Sequence, residues 1–529
     1  MTEIKSTGSV EDQATKRKFK MPGSLTIIIG VLIGVVILTW IASWAGASYK
    51  TEISSENLTI TGDVSKDGTK VITENVTPMG IFGAPIAAAY GFSNAADLIF
   101  YLFILGAVIE LMLVSGSLEK GVAGLVKGFN GKEIFLIPLL VFIFSAGGTI
   151  YGMQEETIAL FVIIVPALCI AGFDAITGLL VILLGTTTGF SMSIVNPFSI
   201  GAALGGVRDS VDKFSDTAII FRLIWWLILT IAVAGFVTGY AIYVKNNPEK
   251  SFNKEMKKDT DSWISSLSAT DGAPTTSKQK AAIGVFMTSF ILMVILFIPW
   301  NDLGIIPEYT LNGPFLGILF GNVAQIGWWY FAELSMLFII TGTIIAILVK
   351  DEISKAGETV PGTMWNGAKE MLSVAIIIGV ARSIPYVLQT TGTQTWMVQG
   401  MTSGLSGMST IGFIYMSFFI FLVLTLLIPS TSGLAGATMA IMAPLASQVG
   451  GTGSNESVMA ISGMLVAFVL ATGIVNMFVP TQAIVMASCA AAHVSYGDAM
   501  KPTLTWAGIM VLISILVLPS IMLFEPMIV

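Results

Sequence analysis

Histidine occurs once and cysteine twice in this chain of 529 residues, and charged residues make up only 11% of it. Metal and nucleophile chemistry needs such side chains in clusters. The sequence contains no HExxH zinc motif, no cysteine-rich cluster and no convincing catalytic dyad. The expectation is therefore a protein that is not an enzyme and that holds no resident metal or cofactor. A GxxxxGK[ST] loop is also missing, which excludes ATP-driven pumping by this chain alone. Cys169 and Cys489 lie in apolar runs, where a free thiol behaves as a small hydrophobe. The net charge of −7 sits mainly in loops, above all 51–77, and so indicates no nucleic-acid partner.

Apolar sequence is what the chain has in abundance. Hydrophobic residues reach 54%, the mean hydropathy is +0.84, and several runs are long enough to cross a bilayer. An all-α polytopic membrane protein follows, with the lipid bilayer as its surroundings and the cell membrane as its expected location. The run 24–45 follows Lys16, Arg17, Lys18 and Lys20. It is longer than a secretory signal core, and its basic flank places residues 1–23 in the cytoplasm as an N-terminal tail. The Lys-rich linker 246–280 belongs on the same side. It separates a first transmembrane repeat, 24–245, from a second, 281–529.

Full-length runs near 24–45, 97–114, 177–204 and 217–244 already return the chain to the cytoplasm, so the segment 133–172 adds no crossing. Its two arms of about twelve residues each would reach only about 18 Å, which suits a re-entrant hairpin. The second half repeats the pattern with a hairpin at about 408–448, entering from the opposite face, and so predicts inverted topology. Each hairpin precedes a long apolar run, 177–204 or 458–492, in which a Thr-Gly pair is followed by proline. Proline removes a backbone donor and clashes with the preceding turn, so both helices are expected to break. A Gly-Thr cluster taken alone reads as a helix-packing surface. Two hairpins with two matching breaks instead point to a binding site at the membrane midplane. The candidate substrate-binding residues are Gly147, Gly148, Thr149, Gln154, Glu155 and Glu156 at the first tip, Thr188 and Asn196 at the first break, Ser430, Thr431, Ser432 and Gly433 at the second tip, and Asn476 and Thr481 at the second break.

The stretches GGTIYGMQEETIAL (147–160), GFDAITG (172–178), VNPFSIG (195–201), IPSTSGLAGATMAIMAPLA (428–446) and TGIVNMFVPT (472–481) resemble the YfcC family of the ion transporter superfamily. Members are described as C4-dicarboxylate anaerobic carrier-like or as arginine/ornithine-type antiporters. The resemblance runs from about residue 83 to 523. It implies an elevator-type carrier, in which a scaffold supporting a homodimer flanks a mobile domain holding both hairpins. Carboxylate carriers of the superfamily place Ser-Asn-Thr at their tips. Here the first tip has no adjacent Asn and adds Gln154, Glu155 and Glu156.

A carboxylate at membrane depth needs a partner, because an unpaired ion there costs at least about 2.5 kcal/mol. The partner is a cationic substrate group, a coupling Na+ or H+, or a protein cation such as Arg382. Glu110 is a second coupling or pairing candidate. His493 is expected near a helix end rather than in a proton relay. Ser430 to Ser432 open a helical arm and suit an anion, although they also read as a simple cap. An acidic tip facing a donor-rich tip fits an amino acid, basic before neutral, moved by exchange or cation-coupled uptake. A Na+- or H+-coupled C4-dicarboxylate carrier is the alternative, and an ion channel is the alternative from another class.

Overall fold

The protein is represented by a computed structural model that describes residues 24–525, apart from 55–68, 119, 122–131, 151, 212–215, 217, 269–274, 298–328, 330, 406, 450 and 452–453. The N-terminal tail 1–23 lies outside the described residues. Among those described, nine helices are long and apolar enough to cross a membrane. The chain is a multi-pass helical membrane protein.

The helices in chain order are α1 (Ser24–Trp44), α2 (Gly83–Asn94), α3 (Ala96–Val114), α4 (Leu136–Ile150), α5 (Ile158–Ile170), α6 (Ala175–Phe190), α7 (Ala202–Ser210), α8 (Ile219–Asn246), α9 (Lys257–Ser268) and α10 (Ser277–Phe297). They continue as α11 (Phe331–Lys355), α12 (Val360–Glu370), α13 (Leu372–Thr390), α14 (Thr393–Thr402), α15 (Thr410–Leu427), α16 (Thr431–Ser447), α17 (Asn455–Asn476), α18 (Ala483–Ala491) and α19 (Tyr496–Ser520).

One departure from an all-α fold lies in the polar stretch after α1. Strands β1 (Ser48–Ser54) and β2 (Thr69–Asn75) pair antiparallel, with Ser48 opposite Asn75. Both segments carry β-branched residues at frequent intervals, which favours a pleated ribbon over a helix. Tyr49 donates to Glu74 at 2.7 Å, and that carboxylate holds the phenol above its usual range. The ribbon docks on α14, where the Gln399 side-chain amide both donates to and accepts from the Lys50 backbone, at 2.7 and 2.9 Å.

The helices fall into two packing groups. In the first, α2 and α3 run against α13 and α12, with α1 and α11 alongside and α10 behind α11. Bare glycine backbones make this crossing close: a methyl on Gly106 would stand 2.5 Å from the Gly367 carbonyl oxygen. In the second, α4 packs on α6 and α8, and α15 packs on α17. Helix α6 is buried along its whole length and α17 from Met459 to Asn476, so these two form the centre of the molecule. The groups meet chiefly where α13 touches α18 and where α14 touches α16.

The linker is tied to the helix bundle at several points. Asp174 caps α6 by accepting from the Thr177 amide at 2.8 Å, and its other oxygen accepts from Tyr240 and Ser251 at 2.8 and 2.6 Å. Asp498 accepts from the Lys254 and Glu255 amides. Helix α9 then lies against α5, with Trp263 stacked on His493 at 4.4 Å between ring centres. As expected, His493 lies just past a helix end, where it pairs with Asp259 at 3.2 Å.

The first hairpin differs from expectation in one arm. Helix continues through Gly147 and Gly148 to Ile150, so the stretch Glu133–Ile150 reaches 18 residues rather than about twelve. The cause is packing: a methyl on Gly148 would lie 2.1 Å from the Thr186 carbonyl, so this glycine seats α4 on α6 instead of turning the chain.

Candidate functional site

The turn between α4 and α5 begins at Gly152, which has φ of +81°. Only glycine fits there, because a Cβ would also meet the Asn196 side chain at 2.5 Å. A short 3-10 turn, Glu155–Thr157, then leads into α5, and the Thr157 hydroxyl donates to the Gln154 carbonyl. The tip is tied to the first break by two bonds of Thr149. Its hydroxyl donates to the Met192 carbonyl at 2.6 Å, and its carbonyl accepts from the Ile194 amide at 3.0 Å.

In the first long run, helix persists through the Gly-Thr cluster and breaks only after Phe190, giving way at Pro197–Gly201 to a wider turn before α7. Asn196 caps that turn by accepting from the Phe198 amide at 2.9 Å, while its amide group donates to Ser193 at 3.2 Å. Arg222, fully buried on α8, pairs with Asp216 and donates to the Ile194 carbonyl at 3.3 Å. It is a support of the first break that the apolar context of α8 concealed.

The second run breaks between α17 and α18, over residues 477–482. Gln482 donates to Asn476 at 2.6 Å, and Asn476 donates to Thr431 at 3.3 Å, so this break and the second tip share one network. Ser430 caps α16 by accepting from the Gly433 amide.

One cavity is lined by parts of all four features: Gly152, Gln154 and Glu155 from the first tip, Pro429 to Ser432 from the second, Phe190 and Phe198 from the first break, and Thr481 to Ala483 from the second. Ala381 and Arg382 of α13 close it, with Phe331 of α11. Arg382 donates to Glu155 at 2.9 Å, with both side chains about a quarter to a third exposed. The hydroxyl of Thr481, a residue 4% exposed, has no hydrogen-bond partner among the described residues. The cavity thus offers a carboxylate, a guanidinium, the amide-rich start of α16 and an unsatisfied hydroxyl.

Gln154, Glu155, Ser430, Thr431, Ser432, Thr481 and Arg382 meet at this cavity. Asn196, Asn476, Gly433 and Thr149 stand behind it as braces. Gly147 and Gly148 are packing residues on α4, with Gly147 against Met153. Thr188 faces away from the cavity and accepts from the Trp506 indole at 3.0 Å. The Glu156 side chain lies outside the described residues. Glu110 is absent from the cavity. It lines a separate and wider one with Glu370, Trp263 and His493, because its place on α3 looks toward the linker end of the bundle. Gln482 and Phe331 were not foreseen. Gln482 had a signal, an amide beside the second proline break, whereas Phe331 had none, since only tertiary packing brings α11 to the tips.

A chain of spanning helices around such a buried polar cavity is a membrane transporter, and similarity to known proteins gives its family. The family model described as "C4-dicarboxylate anaerobic carrier" matches residues 21–523, and the chain belongs to that family. A YfcC protein of Escherichia coli K12, provisionally named a basic amino acid antiporter, is 22% identical over 533 residues, covering 96% of this chain and 97% of that one. An uncharacterized protein of Haemophilus influenzae is 26% identical over 471 residues, covering 82% of this chain and 86% of that one. Among solved structures, the Alcanivorax borkumensis YdaH transporter has 15% identity and a TM-score of 0.40, covering 96% of this chain and all of that one. The Neisseria gonorrhoeae efflux pump MtrF has 13% identity and the same score, covering 94% of this chain and 95% of that one. At that level neither bears on topology or mechanism.

Proposed function

We propose that this transporter exchanges small amino acids across the cell membrane, basic ones first, in the manner of arginine for ornithine. The observation that carries the reading is the Glu155–Arg382 pair at 2.9 Å inside the shared cavity. A site with both charges matches a solute that has both: Glu155 for a guanidinium or ammonium group, Arg382 and the start of α16 for the α-carboxylate. The provisional name of the E. coli relative agrees with this assignment.

A C4-dicarboxylate is the second reading. The family's description favours it, and so does the concentration of anion-seeking groups in Arg382, Ser430 to Ser432 and Thr481. On that reading Glu155 holds Arg382 or meets a coupling Na+ or H+.

Alternating access is proposed to come from movement of the group containing α4 to α8 and α15 to α19 against the group containing α1 to α3 and α10 to α13, the latter forming a homodimer. The halves are proposed to be inverted repeats, with the N-terminus cytoplasmic. Support comes from paired arrangements: α4 on α6 answers to α15 on α17, and α1 beside α13 answers to α11 beside α3.

The test is uptake of labelled arginine into proteoliposomes preloaded with ornithine, arginine, a C4-dicarboxylate or buffer. Arginine uptake driven by an internal amino acid is expected. Dicarboxylate movement without arginine movement transfers the assignment to the second reading, and a large unitary conductance would indicate a channel.

A further inference from the structure

The partners of the cavity's ion pair belong to different packing groups. Glu155 sits in the first hairpin turn, whose arms pack on α6 and α8, whereas Arg382 sits on α13, which packs on α1 and α2. The pair thus joins the two groups across the cavity. Arg222–Asp216 and Lys501–Asp498 lie within the second, Lys278–Asp351 lies within the first, and His493–Asp259 ties the second to the linker. We propose that the Arg382–Glu155 pair is an empty-carrier lock, which binds the two groups together until substrate replaces it and thereby makes transport an obligatory exchange.

The proposal rests on the exchange reading given above. When the site is empty, sliding one group past the other would pull the pair apart and leave a carboxylate and a guanidinium without counter-ions inside the helix bundle. That barrier holds the empty carrier in place. A bound amino acid supplies both missing partners, its cation to Glu155 and its carboxylate to Arg382, so each protein charge keeps a counter-ion while the groups move. The return journey needs the same service from a second amino acid, which is the definition of exchange. No proton or electron is transferred, and the charges are exchanged between hydrogen-bond partners only. The position of Arg382 argues for this over a fixed structural pair. The two ion pairs inside the second group each keep one partner at 2% exposure or less, Arg222 and Asp498, whereas Arg382 and Glu155 remain open to the cavity at 32% and 24%.

The experiment compares labelled arginine influx into proteoliposomes containing ornithine with influx into proteoliposomes containing buffer. It uses wild type, Arg382→Gln and Glu155→Asp, with arginine binding to each followed separately by thermal shift. Glu155→Asp keeps the charge but withdraws it by one methylene, so the lock is weakened while a cation site remains. In the wild type, influx into buffer-loaded vesicles is expected to be less than one-tenth of exchange. In at least one variant that still binds arginine, that fraction should rise at least fivefold as exchange itself slows. Wild-type influx equal with and without internal ornithine overturns the lock but leaves amino-acid transport standing. Variants that bind arginine and remain strictly exchange-dependent also overturn it. Loss of arginine binding in both variants overturns it too, by assigning the pair to binding alone. Failure of the wild type to bind or move any amino acid instead removes the exchange reading beneath it.

Discussion

On the proposed exchange of amino acids, Glu155 is the residue whose chemistry narrows the substrate most. Replacing it with Gln preserves its size and removes its charge, and a hydrogen bond to a charged group contributes about 1.5–3 kcal/mol. Glu155→Gln should therefore raise the half-saturation concentration for arginine roughly ten- to hundredfold in exchange assays, and an unchanged value would remove Glu155 from the site. Thr481 gives the complementary case. Its buried hydroxyl lacks a partner, so Thr481→Val should leave the thermal midpoint level or raised. The same change should weaken substrate by a few-fold if the hydroxyl is meant for the ligand, as binding titrations would show. Both residues were legible from sequence, since a polar side chain within a broken apolar run has few other uses. Arg382 was legible only as a charge seeking a partner. Its choice of Glu155, 227 positions away, depends on how α13 meets the first hairpin.

At the scale of elements, glycine placement decides how tightly the central helices seat. Gly148→Ala would drive a methyl to 2.1 Å from the Thr186 carbonyl, and overpacking of this kind costs about 1–3 kcal/mol. Gly436, within α16, has nothing within 4 Å of the same position, and Gly436→Ala should stabilise that helix by about 0.5–1 kcal/mol. Thermal unfolding in detergent should thus move in opposite directions for the two variants, and a fall in both would mean that α16 is packed differently. Pro197 and Pro480 each stand at the interruption of a long apolar run, because proline fixes where a helix must yield. The sequence placed the first turn too early. A Gly-Gly pair breaks a helix in isolation but seats it closely when a neighbouring backbone is available, and only the α4–α6 contact distinguishes the two outcomes.

Across the whole molecule, transport by relative movement of the two packing groups makes a mechanical prediction. Ser373 on α13 and Ala490 on α18 line the same linker-side cavity from opposite groups. Cysteines at these positions, joined by a short bifunctional maleimide in a background with Cys169 and Cys489 replaced, should abolish exchange, and a reducible linker should restore it on reduction. Full activity in the joined protein would sink the moving-group mechanism. The sequence by itself determined that this chain lives in a membrane, where its helices run, and that polar breaks recur in both halves. Those facts follow from local hydrophobicity and backbone chemistry, which are properties of neighbours along the chain. The tertiary structure alone decided that two tips and two breaks converge on one cavity, that Arg382 closes it while Glu110 belongs to another, and that the linker folds against the bundle. Such pairings depend on which helix faces pack together, and packing is settled by shape complementarity between segments hundreds of residues apart.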